Sequence, residues 1–338
     1  MKKRTKMTVG AGIAALTLMV TGGGYYYFHT DTDTPEFAIK TINQSLKTHD
    51  TETFHSVVNV DGVLESGYDG FVEVVTSPDI VTMADTREVI EDFTQMLRGP
   101  MLISLKAAVD SYVATGDLNA QENSGVIELL DRTGLKGAEI RDIRNVQIND
   151  ANRNEAFADV IIIQPELERE FPLQFVLTRN DENKWQVNRV NNFKEFVEEI
   201  AKARRVQLDE YLKQSGEINN KHEATMRDIE KRYSEILSKG TLADTKTRDE
   251  LKSLVNDVFK KDCEDRKQEL FTLRVPKEAE ALHKLYMKIC DLSIAAAQDY
   301  SKWLDDKNPQ TIKSAEEKIH QAQTLMTEAG TIAKRMTS

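Results

Sequence analysis

Apolar residues fall into three kinds of spacing along this chain. Met7 to Phe28 carries no charge over 22 positions. At 1.5 Å per residue a helix of that length spans roughly 33 Å, enough for a ~30 Å hydrocarbon core. From Thr34 to about residue 114 apolar positions recur at helical steps. Phe37, Ile39, Ile42 and Leu46 follow a helix start made of Thr34 as N-cap, Pro35 at the first position and Glu36 in the first turn. Asp50 caps a second short helix with Phe54, Val57 and Val58 apolar. Further helices are expected near 61–76 and 86–114. In the latter, Val89, Phe93, Leu97, Leu102, Leu105 and Val109 form a partial stripe that Gly99-Pro100 should break or kink and Gly116-Asp117 should end.

After about residue 138 the period shortens. Ile140, Ile143, Val146 and Ile148 mark a strand, Ala156 to Ile163 a second, Phe171 to Leu177 a third, and Trp185, Val187 and Val190 a fourth. The joints Asn149-Asp150-Ala151-Asn152, Gln164-Pro165-Glu166 and Asn180-Asp181-Glu182-Asn183 are short and turn-like, which predicts an antiparallel meander. A sheet with one apolar face must cover it, and the preceding helices are the available cover.

From Phe193 onward strand signals vanish. Asn192 to about Lys239 reads as one long helix, with Gly216 as a point of interruption and Gly240 as its stop. Asp244 is the expected N-cap of a helix to about Leu273, Pro276 opens another, and Asn308-Pro309 starts the last. In that last helix Ile312, Ala315, Ile319, Ala322, Met326, Ala329, Ala333 and Met336 alternate steps of three and four, an a/d seam. The seam either closes against the helix before it, as an antiparallel hairpin, or stays free for another protein or subunit. The fold class is therefore α+β: an N-terminal transmembrane helix, helices on a four-stranded antiparallel sheet, then an elongated helical bundle. The expected division is 1–6 basic tail, 7–28 membrane segment, 34–192 α+β domain and 193–338 helical domain.

Charge places these parts. Lys2, Lys3, Arg4 and Lys6 precede the apolar run, and Asp31, Asp33 and Glu36 follow it. Basic residues stay on the cytoplasmic side, so the body is expected outside the cytoplasm. Tyr25, Tyr26, Tyr27 and Phe28 read as an outer aromatic belt, which favours a retained anchor in the lipid bilayer. The rival is a signal peptide cut at Val20-Thr21-Gly22. Gly10 and Ala14 make a small-xxx-small pair that could bring two membrane helices together. The 338-residue chain has a formal net charge of −11, concentrated in the body, which excludes nucleic acid as a natural partner.

Candidate chemistry is sparse. Cys263 and Cys290 are the two cysteines, and the expected turn near Arg274-Val275 would leave them about one helical turn out of register, a candidate disulfide or two buried thiols. As a nucleophile either would lack a suggested partner histidine beyond His283. His49, Asp50, Glu52 and His55 form the nearest approach to a cluster, and a helix corner explains them: Asp50 caps and the others are solvated. The sequence contains no Gly-x-Ser-x-Gly, phosphate-binding loop or Cys-x-x-Cys. No cofactor or metal is implied.

The helix-then-sheet order resembles the cystatin-like, nuclear-transport-factor-like cone. Asp181-Glu182-Asn183-Lys184-Trp185-Gln186-Val187-Asn188-Arg189-Val190 is similar to the last strand of many extracytoplasmic members of that group. Thr34-Pro35-Glu36-Phe37-Ala38, Asp50 and Val60-Asp61-Gly62-Val63 also resemble bacterial envelope proteins carrying a domain of unknown function. The resemblance implies a fold and an envelope address, and carries no catalytic residue across. The expected function is a non-catalytic envelope adapter or scaffold, with an envelope protein or a second copy as partner. The alternatives are a ligand-binding module using the concave face of the sheet and, third, an enzyme with an acid or base held in that cavity.

Overall fold

A computed structural model of the chain describes residues 33–77, 84–116, 135 and 138–337. The apolar run 7–28 lies outside the described residues. Among those described, no helix is long and apolar enough to cross a membrane. The protein is α+β, with a four-stranded antiparallel sheet and a majority of helix, and it divides into two compact units at Ala203/Arg204.

The first unit opens with three helices, each started by a polar side chain. Thr34 Oγ1 accepts from the Phe37 amide at 3.2 Å to start α1 (Pro35–Thr48), and Asp50 Oδ1 accepts from Thr53 at 3.0 Å to start α2 (Thr51–Val57). Asn59 Oδ1 accepts from Gly62 at 3.1 Å to start α3 (Val60–Val75). These caps satisfy amides that the first helical turn leaves without partners. The helix α4 (Ala84–Thr115) follows. Contrary to the sequence expectation, Gly99-Pro100 does not break it: Pro100 lies inside one continuous helix. Both residues are exposed there, so the ring meets no packed neighbour, and the packing of flanking turns holds the helix together. Gly116 ends α4 at φ +68, where a Cβ would come within 2.9 Å of His49 Cε1.

Strands β1 (Glu139–Ile148), β2 (Glu155–Gln164), β3 (Arg169–Arg179) and β4 (Trp185–Val190) pair antiparallel in chain order. Register puts Ala156, Ala158, Val160 and Ile162 beside Leu177, Phe175, Leu173 and Phe171. That row is buried together with Ile42, Phe54, Val63, Leu105 and Val109 from the helices and Val58 from the link between α2 and α3. The opposite face is mixed: Phe157, Ile161, Ile163 and Val176 lie on it, with Ile161 and Val176 buried, and between them Asp159 accepts from Asn145 Nδ2 at 2.8 Å and from Gln174 Nε2 at 3.0 Å. Asn145, at φ +54, sits in a β1 bulge. The far edge of β4 is closed: Val58 bridges Val187, the Asn59 amide donates to Val187 O at 2.8 Å, and the Val190 amide donates to Ser66 Oγ at 2.9 Å.

The helix α5 (Phe193–Lys239) runs through Gly216 without interruption; that glycine has open space around it, so only its intrinsic propensity opposes the helix. Phe193, Phe196, Val197, Ile200 and Ala203 belong to the first unit's core, which is why that unit extends past the boundary at Asn192 read from the sequence. In the second unit α6 (Thr245–Ser253), a π-helical stretch (Leu254–Lys260) and α7 (Lys261–Phe271) follow. Asp244 holds the N-cap position, yet its carboxylate turns back to accept the Thr241 amide (2.9 Å) and hydroxyl (3.2 Å) rather than capping α6. A short 3-10 turn leads into α8 (Glu280–Asp306). Asn308 Oδ1 accepts from Gln310 at 2.9 Å as α9 (Pro309–Thr337) begins.

Candidate functional site

The most function-bearing feature among the described residues is a face of α4. One side of this helix is fastened to α1, α2 and α3. Tyr68 donates to Thr94 O at 2.7 Å, Arg98 pairs with Asp69, and Lys106 Nζ lies 2.6 Å from Asp61 Oδ1. His55 Nε2 lies 3.0 Å from Asp110 Oδ1, and His49 Nδ1 donates to Val113 O at 3.0 Å. Leu105, Ala108, Val109 and Val113 are buried on that side. The other side exposes Val89 (66%), Phe93 (55%), Met96 (65%) and Ile103 (73%). Their steps of four, three and seven put them in one line, with exposed Pro100 between. Glu88 and Asp92, both exposed, border the first half of this line. Isolated exposed apolar residues are ordinary; four aligned at coiled-coil spacing on a fastened helix make this face the candidate site.

The sequence pattern joins Val89 and Phe93 in one partial stripe with Leu97, Leu102, Leu105 and Val109, of which Leu105 and Val109 are buried. Val89 and Phe93 point outward instead, because α4 carries two apolar faces and Leu105, Val109 and Val113 belong to the other. The missed signal was the run 89–93–96–100–103, which that stripe overlapped. The two histidines near the α1–α2 corner add a contact the sequence did not indicate: His49 stays exposed and His55 partly so, yet both reach α4, while Asp50 caps as expected.

In the second unit the candidate bridge between Cys263 and Cys290 is not formed. Both are buried free thiols. Contacts of 2.5 Å between Lys252 and Asp305, 2.8 Å between Asn256 and Ser301, and 2.6 Å between Lys267 and Asp291 set the antiparallel register. Cys263 then faces the turn after Cys290, roughly one 5.4 Å pitch along. Burial, with Cys290 nearby, pushes the Cys263 thiol up to about 12, so it stays protonated at neutral pH and is a poor nucleophile. His283 faces Tyr211 at 3.3 Å rather than either cysteine, and burial lowers its pKa. Buried His222 sits between two carboxylates on α7, with Nδ1 2.8 Å from Asp262 and Nε2 3.7 Å from Glu269, although neither ring nitrogen makes a well-aligned hydrogen bond. Sequence reading had not joined these three residues, since their contact depends on the packing of two helices. Among the described residues no group of three or more His, Cys, Asp or Glu is placed to hold a metal ion.

Along the α9 seam, Ala315, Ala322 and Ala329 are buried, and α9 packs on α8. Ile312 and Ile319 are half-buried, Ala333 and Met336 join the core's margin, and Met326 is 47% exposed. Leu325 packs where Met326 was expected. Burial thus follows the alanine positions at seven-residue spacing, and the alternate positions Ile312, Ile319 and Met326 stand at the margin of the contact or outside it. The anchor residues Lys2, Lys3, Arg4, Lys6, Tyr25, Tyr26, Tyr27 and Phe28 lie outside the described residues. Compared with known proteins, the chain matches no family model, no curated protein and no solved structure.

Proposed function

We propose that this protein is a single-pass, membrane-anchored envelope protein acting as a non-catalytic adapter, with its body outside the cytoplasm. The observation that carries the adapter role is the exposed apolar line on α4, held outward by the ion pairs and hydrogen bonds of its other face. The uncharged run 7–28 between a basic tail and acidic residues supports the address. A cone-like first unit and a bundle-like second unit belong to the same reading, supported by helices gathered on one face of an antiparallel meander. The ligand-binding alternative draws less support, because the inward sheet row it would use is occupied by helix side chains.

Cross-linking in native membranes tests the proposal. The full-length protein should sediment with membranes, resist alkaline extraction and be digested by protease added outside. A neighbour cross-linked to the wild type should be lost with Phe93→Ser combined with Ile103→Ser. Identical neighbours in both would remove the adapter role, and recovery in the soluble fraction would remove the anchor.

A further inference from the structure

We infer that the α4 face receives an amphipathic helix of another protein whose apolar seam is bordered by Lys and Arg; this rests on the adapter reading and names its partner's chemistry. Val89, Phe93, Met96 and Ile103 occupy alternating core positions of a heptad pattern, with Pro100 in the remaining one. Such a line presents knobs to a helix, since a partner helix offers holes at matching spacing. α4 is not free to roll this line inward, because Arg98 and Lys106 are held by Asp69 and Asp61 and Tyr68 by the Thr94 carbonyl.

Charge selects among occupants. Glu88 and Asp92 each precede a residue of the line and stand exposed on one flank. The cations Arg98 and Lys106 are already paired, leaving those acids to be answered from outside. A partner helix with basic flanks answers them. A second copy would bring the same acids, Glu88 and Asp92, against this flank and leave both sets unanswered. An anionic lipid surface would meet like charge on the flank and a body that is acidic overall.

The test uses the full-length protein in detergent and two three-heptad peptides. They share one Leu/Ile seam and carry either Lys or Glu at the flanking positions. Anisotropy should report binding of the Lys peptide at least about tenfold tighter than the Glu peptide. Phe93→Ser with Ile103→Ser should abolish it, with circular dichroism unchanged because both positions are exposed. Glu88→Lys with Asp92→Lys should invert the preference, an outcome that a merely sticky surface cannot produce. Equal binding of both peptides, or of neither, overturns the basic-flank inference while the membrane cross-linking comparison judges the adapter reading separately. Concentration-dependent self-association abolished by the Ser variants would assign the face to a second copy. Binding to phosphatidylglycerol vesicles abolished by them would assign it to lipid, and either result overturns the inference.

Discussion

Gly62 illustrates how one position can reverse a general preference. Alanine is favoured over glycine in a helix by about 1 kcal/mol. At Gly62 in α3, however, a Cβ would lie 2.5 Å from the Asn188 carbonyl oxygen, a backbone atom of β4. Gly62→Ala is therefore expected to cost about 1–3 kcal/mol through overpacking. Gly216→Ala, in open space on α5, should gain about 1 kcal/mol. Urea denaturation of the two variants measures both signs. Asp50 offers a pH prediction of similar economy. Hydrogen bonds from the Thr53 hydroxyl and amide lower its pKa in the folded state. A carboxylate with a depressed folded pKa contributes stability above its unfolded value, near 3.9, and loses it as pH falls through the folded value. Asp50→Asn keeps a capping oxygen without the titration. The wild type's stability relative to Asp50→Asn should be constant at neutral pH and decline under acid, as chemical denaturation at a series of pH values would show.

At the scale of the element, α4 concentrates both what the sequence told and what it withheld. Pro100 lacks an amide hydrogen and sits exposed within the helix, so Pro100→Ala restores a donor where nothing crowds it. The expected result is a gain of about 1–3 kcal/mol and a higher melting temperature. The four strands were legible because apolar alternation and polar joints such as Asn180–Asn183 coincide, and the early helices because Thr34 and Asp50 announce their caps. Three things were not. Periodicity identifies apolar faces but not which of two is buried, hence the grouping of Val89 and Phe93 with Leu105 and Val109. Asp244 stands where a cap belongs, yet a threonine three residues earlier competes for its carboxylate. The His222–Asp262–Glu269 contact joins residues from two helices, and no local pattern encodes which turns of those helices meet.

For the whole molecule, the two tryptophans are informative because each unit holds one: Trp185 on β4 and Trp303 on α8. Phe54 is fully buried among α1, α3 and the sheet. Phe54→Ala should destabilise the first unit by about 3–5 kcal/mol. In a Trp303→Phe background the Trp185 fluorescence transition should move to correspondingly lower denaturant, and an unchanged midpoint would mean that Phe54 is not part of the core that Trp185 reports.

The closed margin of β4 has a further consequence. Val58, Asn59 and Ser66 occupy groups there that an incoming strand would need, whereas β1 has no strand on its outer side among the described residues. Its charged Arg141, Asp142 and Arg144 and its bulges discourage addition. Were those defences lost, strand pairing could join β1 to β1 and then stop, since neither molecule would have a second reactive end. In the language of polymer chemistry the sheet is a monofunctional monomer: it can terminate a chain but cannot propagate one.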